Sequence, residues 1–415
     1  MRRLGWLALS VSLSGSPGCV RPECADADYG DPECRVIAEN ELARLRTADG
    51  VEIRFADPRE EDATTWEARG LLRESASEGV VARIAGPGDF ALSLQRQAGD
   101  PGATFLRLDN VDQDATITVV DGGESLEVEA EGFVPSSRQL VFTLDDEVPL
   151  WVRGRIPCPG RYRIAALGDI QTNPTQFARI AEALSTERLR AAQLGEPLLA
   201  LMIVGDLSEA TRDEEFEALH DIIDRLPFPV MTTPGNHDVY RPTRPYYNLS
   251  FGPGTHEATL CNAKLVMLDT GSGAIATSVQ ARLPELFDRD EAEVLIVGMH
   301  HPVYPGQTGA GWSREDQAAH VMSELAIARA DLVVAGHAHA LHDFSGIDVG
   351  DVQLREIITG TGGATQGIAD PRFGYVRITI DGGEMDTCFV EVPPPGYDGP
   401  TGDDLPNLPN CPASD

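Results

Sequence analysis

Basic residues are scarce: 33 Lys and Arg face 66 Asp and Glu, so the 415-residue chain carries a formal net charge of -33 and a pI near 4.5. Like charge repels polyanions long before contact, which excludes nucleic-acid backbones and anionic membrane surfaces as partners and leaves the acidity to a solvated surface. Lysine is nearly missing, Lys264 standing alone among arginines, a bias of base composition rather than of chemistry. No apolar run reaches the ~20 residues that a spanning helix needs, which argues against a multi-span membrane protein. None of the cysteines forms a C-x-x-C pair, so neither a zinc ribbon nor a thioredoxin-like redox site is indicated.

The chain begins Met1-Arg2-Arg3, runs apolar from Leu4 to Leu13, and then passes through small residues to Gly18-Cys19, the form of a signal peptide. Gly18-Cys19 resembles the end of a bacterial lipoprotein signal, which implies lipidation of Cys19 and membrane contact only through that anchor. Ser16 stands where that pattern usually carries an aliphatic residue, and simple secretion is the alternative. Cys24, Cys34, Cys158, Cys261, Cys388 and Cys411 then remain, an even set suited to disulfides in an oxidising compartment. Pairing of Cys24 with Cys34 and of Cys261 with Cys388 is the expectation.

Five segments follow from composition and periodicity. They are a signal peptide over 1–19, a tether and short helix over 20–50, a β-rich accessory domain over 51–157, an α/β domain over 158–392 and a Pro-rich tail over 393–415. In the accessory domain Thr104 to Leu108, Ala115 to Val120, Ser125 to Ala130 and Gln139 to Leu144 read as strands, with a hairpin signal at Asp121-Gly122-Gly123, and suggest a small β-sandwich. The register before Ala103 is not readable. After Cys158-Pro159-Gly160, short apolar runs (Tyr162 to Leu167, Leu198 to Val204, Pro229 to Thr232, Glu293 to Met299, Asp331 to Ala335) alternate with helical periodicity at Gln176 to Gln193, Asp213 to Arg225, Ser278 to Asp288 and Arg314 to Ala328. Ala258 to Asp269 and Phe373 to Val392 look like added antiparallel hairpins.

Each apolar run ends in polar residues able to hold a metal. In order these endings are Gly168-Asp169-Ile170-Gln171, Gly205-Asp206-Leu207-Ser208-Glu209, Gly235-Asn236-His237-Asp238, Met299-His300-His301-Pro302 and Gly336-His337-Ala338-His339. Ligands of open α/β sheets gather at the carboxyl ends of strands. A lone strand-end Asp is more often a turn former and a lone His more often structural; the ordered set is what indicates a site. Asp169, Gln171, Asp206, Asn236, His300, His337 and His339 exceed the needs of one tetrahedral ion, and their oxygen and imidazole donors suit Mn, Fe or Zn. Two adjacent ions need a carboxylate between them, for which Asp206 is the best candidate. An imidazole beside the ions, His237, suits a general acid, with Asp238 behind it to orient and charge the ring. His220, His256 and His320 fall outside the set, and His301 and His342 lie close to it.

The run GDIQ, GDLSE, GNHD, HHP and GHAH resembles the calcineurin-like metallophosphoesterase family, which includes purple acid phosphatases and phosphodiesterases. The resemblance covers the α/β part, and Thr359-Gly360-Thr361-Gly362-Gly363 resembles a loop of its extracellular members. It implies a four-layer fold, two β-sheets between helices, and a centre of two divalent or trivalent metal ions. It also implies Asp169 and His339 on the first ion, Asn236, His300 and His337 on the second, Asp206 on both, and His237 with Asp238 as the acid and phosphate-contacting pair. Many members carry His in place of Gln171, and purple acid phosphatases carry Tyr in place of Glu209, so no coloured iron-tyrosinate centre is expected. Hydrolysis of a small phosphate ester by metal-bound hydroxide, without a covalent intermediate, is the functional expectation; monoesterase, diesterase and pyrophosphatase all stay open. The reading from another class is a tethered binding or scaffold protein with a vestigial metal site. The loops Val239 to Gly254 and Tyr304 to Trp312, with Tyr240, Arg241, Arg244, Tyr246 and Tyr247, are candidates for substrate contact or for plain loop packing.

Overall fold

The computed structural model describes residues 24, 29–58, 68–75, 79–96, 102–121, 124–127, 134–144, 149–240, 244–304, 311–366, 371–396 and 408–412. The signal segment with Cys19, Gly122-Gly123, Arg241, most of the loop before Trp312 and most of the tail lie outside these residues.

The N-terminal part opens with helix α1 (Pro32–Leu42), capped by the Asp31 side chain, which accepts from Glu33 N. The helix stops at Leu42, and Arg44–Arg46 is strand β1, paired with the next strand. Then come β2 (Val51–Ala56), β3 (Gly70–Ser75), β4 (Gly79–Ile84), β5 (Phe90–Arg96), β6 (Gly102–Asp109), β7 (Thr116–Asp121), β8 (Glu124–Glu127), β9 (Ser137–Leu144) and β10 (Leu150–Arg155). They form a six-stranded sheet, order β1-β2-β5-β10-β7-β8, and a four-stranded sheet, order β3-β4-β6-β9. Ile53, Leu92, Leu94 and Val152 of the first share a core with Ala82, Leu106 and Leu140 of the second, a β-sandwich.

The α/β part contains strands β11 (Arg161–Leu167), β12 (Leu198–Val204), β13 (Val230–Thr233), β14 (His256–Leu260), β15 (Ala263–Leu268), β16 (Val294–Met299), β17 (Leu332–Ala335), β18 (Leu341–Val349), β19 (Val352–Thr359), β20 (Gly374–Asp381) and β21 (Glu384–Glu391). Its helices are α2 (Pro174–Gln193), α3 (Asp213–Ile223), α4 (Tyr246–Phe251), α5 (Thr277–Gln280), α6 (Leu283–Leu286) and α7 (Glu315–Ile327). Two sheets result, of orders β13-β12-β11-β20-β21 and β14-β15-β16-β17-β19-β18. Successive strand side chains point to opposite faces. Ile164, Ala166, Met202 and Val204 accordingly meet Leu265, Met267, Ile296 and Val334 between the sheets. Ala165, Leu167, Leu201 and Ile203 turn outward onto Phe177, Ile180 and Phe216 of α2 and α3. On the far side Val266, Val297 and Val333 meet Leu283, Val321 and Leu325. The result is the four-layer α/β/β/α sandwich, and burial of both faces explains why these strands read as unbroken apolar runs.

Two expectations are corrected. The helix expected over Ser278 to Asp288 is split into α5 and α6, because Pro284 has no N–H to continue the first helix and sits comfortably in the first turn of the second. Cys24 pairs with Cys34 as expected, but Cys261 pairs with Cys158 and Cys388 with Cys411. Residues 261 and 388 belong to different sheets, β14-β15 and β20-β21, and each finds a nearer partner in an adjoining loop. The Cys388 bond holds the tail: Phe389 N donates to Pro409 O, Cys411 N donates to Phe389 O, and Leu408 is buried. No helix of the described residues is long and apolar enough to cross a membrane.

Candidate metal centre

All five polar endings converge at the carboxyl ends of β11, β12, β13, β16 and β17. Four residues there hold left-handed backbone: Asp169 at φ 59°, Asp206 at 53°, His337 at 69° and His339 at 45°. Such φ values are uncommon outside glycine and persist only where the surroundings enforce them. The sharp turns therefore fall largely on the candidate ligands themselves, with Gly205 at φ 89° as the exception. Gly235 is required for closeness instead, since a Cβ there would lie 2.2 Å from Asp206 Oδ1.

Around Asp169, which is fully buried, the carboxylate accepts from His337 N at 2.9 Å, and Oδ1 lies 3.3 Å from His339 Nε2. His339 Nδ1 is 2.9 Å from Thr365 O; a carbonyl only accepts, so Nδ1 carries the proton and Nε2 turns a lone pair inward. Gln171 Nε2 lies 2.9 Å from Asp206 Oδ2 and 3.0 Å from that lone pair, while Gln171 Oε1 is buried without a partner. Exchanging the two amide ends would put oxygen among acceptors, an arrangement only a cation stabilises.

The second cluster repeats the logic. His300 Nδ1 donates to Val204 O at 3.0 Å, which leaves the Nε2 lone pair facing Asn236 Oδ1 at 3.0 Å and Asp206 Oδ1 at 3.4 Å. Asn236 Oδ1 is also 3.0 Å from His337 Nδ1. Asp206 thus reaches both clusters, one oxygen toward each. Nitrogen and oxygen donors of His300, His301 and His337, and those of Asp169, Asp206 and His339, each lie within 4.8 Å of one another.

Electrostatics point the same way. Burial, with the Asp206 charge second, pushes the Asp169 carboxyl well above its ordinary value, and burial raises Asp206 to about 6. Burial holds His300 well below its ordinary value, with His337 second, and brings His337 down to about 4. The protein alone thus stabilises neither the anions nor imidazolium cations; bound cations would supply the missing charge and take the neutral imidazoles as donors. The residues present fit metal ions.

His237 lies at the edge of the centre. Its backbone N donates to Asp206 Oδ1 at 2.9 Å and its Nδ1 to the Glu209 carbonyl at 2.9 Å, with a Glu209 carboxylate oxygen 3.6 Å away. Nε2 is the ring atom left for chemistry. The expectation that Asp238 orients this ring is not met. Asp238 is buried, raised to about 7 by burial and by Asp206, and its two oxygens accept from Leu207 N, Ser208 N, Ser208 Oγ and Gly235 N at 2.8 to 3.1 Å. It ties the loop bearing Asp206 to the loop bearing Asn236, while Glu209 holds the ring.

Sequence reasoning did not find the supporting groups, which are mostly backbone carbonyls. Thr270 accepts from His300 N and His301 N through its hydroxyl and from His301 Nδ1 through its carbonyl. Asp269, beside it, is gripped by buried Arg35 of α1 through two bonds of 2.6 and 2.9 Å. The Thr359 to Gly363 loop braces the first ligand strand, Gly168 N donating to Thr359 O and Gly362 N to Gly168 O. Of the loop aromatics, Tyr240 is exposed, its ring 4.6 Å from that of His237 and tilted 54° to it, whereas Tyr247 is buried with its hydroxyl on Thr232 Oγ1 and is structural. Arg244 lies over the Tyr246 ring. His220 stacks on Phe251 and His342 on Phe344, both outside the centre.

The calcineurin-like phosphoesterase family model matches residues 162–341. No curated protein matches the chain. Among solved structures the chain is similar to purple acid phosphatase PPD1 from yellow lupin (Lupinus luteus) seeds, at 13% identity and a TM-score of 0.46, over 75% of this chain and 79% of that one. It is similar to PhoD at 12% identity and a TM-score of 0.47, over 78% and 89% of the two chains. A dimetal phosphatase from Danio rerio matches at 13% identity and a TM-score of 0.41, over 55% of this chain and 98% of that one. The family match thus covers residues 162–341, the α/β part that carries the candidate metal centre, and supports a phosphoester hydrolase there.

Proposed function

We propose that this protein hydrolyses small phosphate esters at a centre of two metal ions, with Asp169, Gln171 and His339 on one ion, Asn236, His300 and His337 on the other, and Asp206 on both. The observation that carries the proposal is the meeting of acceptor atoms alone: the His300 lone pair, Asn236 Oδ1 and Asp206 Oδ1 face one another with no proton to share. When bound, ions held by these residues would supply Lewis acidity toward phosphoryl oxygens and toward an attacking water. The chain's own part is acid catalysis and positioning. His237, its Nδ1 fixed on Glu209, delivers an Nε2 proton to the departing oxygen. Asp238 holds the two ligand loops at their spacing.

Export belongs to the same proposal. Three disulfides need an oxidising compartment, and the apolar N-terminus ending in Gly18-Cys19 gives the route and a lipid anchor. The test is elemental analysis of purified protein together with hydrolysis of monoesters, diesters and nucleotides in the presence of Mn, Zn, Fe or Mg. Two ions per chain and turnover of at least one ester class are expected. A metal-free protein that turns over none of them would mark the centre as vestigial.

A further inference from the structure

Beside the metal centre lies a cleft of about 600 Å³, within the range of ligand pockets. Its floor is apolar and buried: Ile170, Leu207 and Leu219. One wall is the start of α2 at Thr172 and Pro174; the other is the face of α3 that carries Glu214, Ala218 and Glu215. Gln171 lines the same cleft, and its amide is 2.9 Å from Asp206, so the cleft adjoins the centre on the Gln171 side. Glu209 lines it as well, and the Glu209 carbonyl holds His237.

We propose that this cleft receives the alcohol portion of the phosphate ester, accepts a neutral or cationic group with an apolar body, and rejects an anionic one. The inference rests on the phosphoesterase reading above and adds the substrate class. The geometric reason is that Gln171, beside Asp206, and Glu209, whose carbonyl holds His237, both line the cleft, so a substituent that extends from a phosphoryl group at the centre past these two residues enters it. The apolar floor favours a carbon skeleton, whose burial there removes apolar surface from water. The charge around the rim sets the sign. Three carboxylates, Glu209, Glu214 and Glu215, the last accepting from Ala210 N and Arg212 N, stand against the single Arg212 guanidinium, a net negative rim on a chain of net charge -33. A second phosphate or a carboxylate on the leaving group meets repulsion there. Nucleoside polyphosphates, whose leaving group is itself a phosphate, are disfavoured for that reason.

The experiment compares kcat/KM for aryl phosphates that carry a neutral, quaternary ammonium or carboxylate substituent, corrected to a common leaving-group pKa, with inhibition by inorganic phosphate as the probe of the centre itself. Wild type should prefer the neutral and cationic esters over the carboxylate. Ala218→Trp, at an exposed position on the α3 wall, should lower kcat/KM for the aryl esters about ten-fold or more, with a much smaller change in the phosphate inhibition constant. Glu214→Lys should shift the ratio of cationic to anionic ester several-fold toward the anionic. Circular dichroism and metal content establish that each variant is folded and loaded. If wild type hydrolyses esters but Ala218→Trp alters aryl turnover and phosphate inhibition alike, or neither, and Glu214→Lys leaves the charge ratio where it was, the cleft assignment is overturned while the phosphoesterase reading stands. If wild type hydrolyses no ester with any metal, that reading fails and the cleft assignment with it.

Discussion

His237 and Asp238 are neighbours in the chain and do different work. An alkoxide leaving group needs a proton in the transition state far more than a nitrophenolate does, and general acid catalysis contributes about 100- to 10,000-fold where it is needed. His237→Ala should therefore cost alkyl phosphates much more than nitrophenyl phosphate with both metals bound; an equal loss across leaving groups of graded pKa would remove the general-acid role. Asp238→Asn should not follow that gradient. An amide turns an N–H toward donors that now meet a carboxylate oxygen, so the variant should lose about 1 to 3 kcal/mol of stability and weaken metal binding for all substrates alike. At the ligands, Asp206→Asn should cost more metal and more turnover than Gln171→Ala, because Asp206 has an oxygen toward each cluster and Gln171 faces one. Two ions retained with near-normal turnover in the Asp206 variant would overturn that assignment.

At the scale of elements, α1 ties the N-terminal segment to the site through two buried charged residues. Arg35 grips Asp269, and Glu39 Oε1 accepts from Asn248 Nδ2 at 3.1 Å and from Gly254 N at 2.8 Å. Burial, with the Asp269 charge second, raises Glu39 from 4.5 to about 8. The folded state then holds the Glu39 proton more tightly than the unfolded chain, so this contribution to stability is full below about 4.5 and is lost as pH rises through about 8. Glu39→Gln keeps a neutral acceptor in place and should flatten the decline between those limits; denaturant titrations at stepped pH measure it, and unchanged pH dependence would refute it. None of this was legible in the sequence, where α1 reads as a short helix beside a tether. The strand-end ligands were legible because strands buried on both faces give unbroken apolar runs, and polar residues stand out where those runs stop. The sandwich strands before Ala103 were not, since half-buried strands alternate weakly and the β4-β6 pairing is parallel and long-range. The role of Asp238 was misread for a related reason: adjacency in sequence does not say which way a buried carboxylate turns.

For the whole molecule, the open question is whether sandwich and α/β part unfold as one body. Strand β13 forms one edge of the five-stranded sheet and carries Asn236 and His237 just past its end. An edge strand leaves a row of backbone groups to be satisfied. Asn110 of the sandwich does this with one side chain. Its Oδ1 accepts from Val230 N at 2.7 Å, and its Nδ2 donates to Val230 O at 2.9 Å and to Ile84 O at 2.7 Å. Nearby, Arg188 of α2 is buried against Asp112 at 3.1 Å, and Ser136 Oγ donates to Asp224 O. Asn110 also holds φ 64°, which asparagine tolerates better than most residues. Asn110→Ala leaves three buried backbone groups without a partner and adds backbone strain, so it should cost about 2 to 4 kcal/mol, while Asn110→Asp keeps the acceptor and loses both donated bonds. Calorimetry of wild type should show one transition, moved to lower temperature in both variants. If the bridge couples the two parts, Asn110→Ala should also weaken metal binding, because the strand end bearing Asn236 is then held from one side only. Two separate transitions in wild type, or a variant that melts where wild type does, would show that the sandwich is carried by the catalytic part and does not brace it.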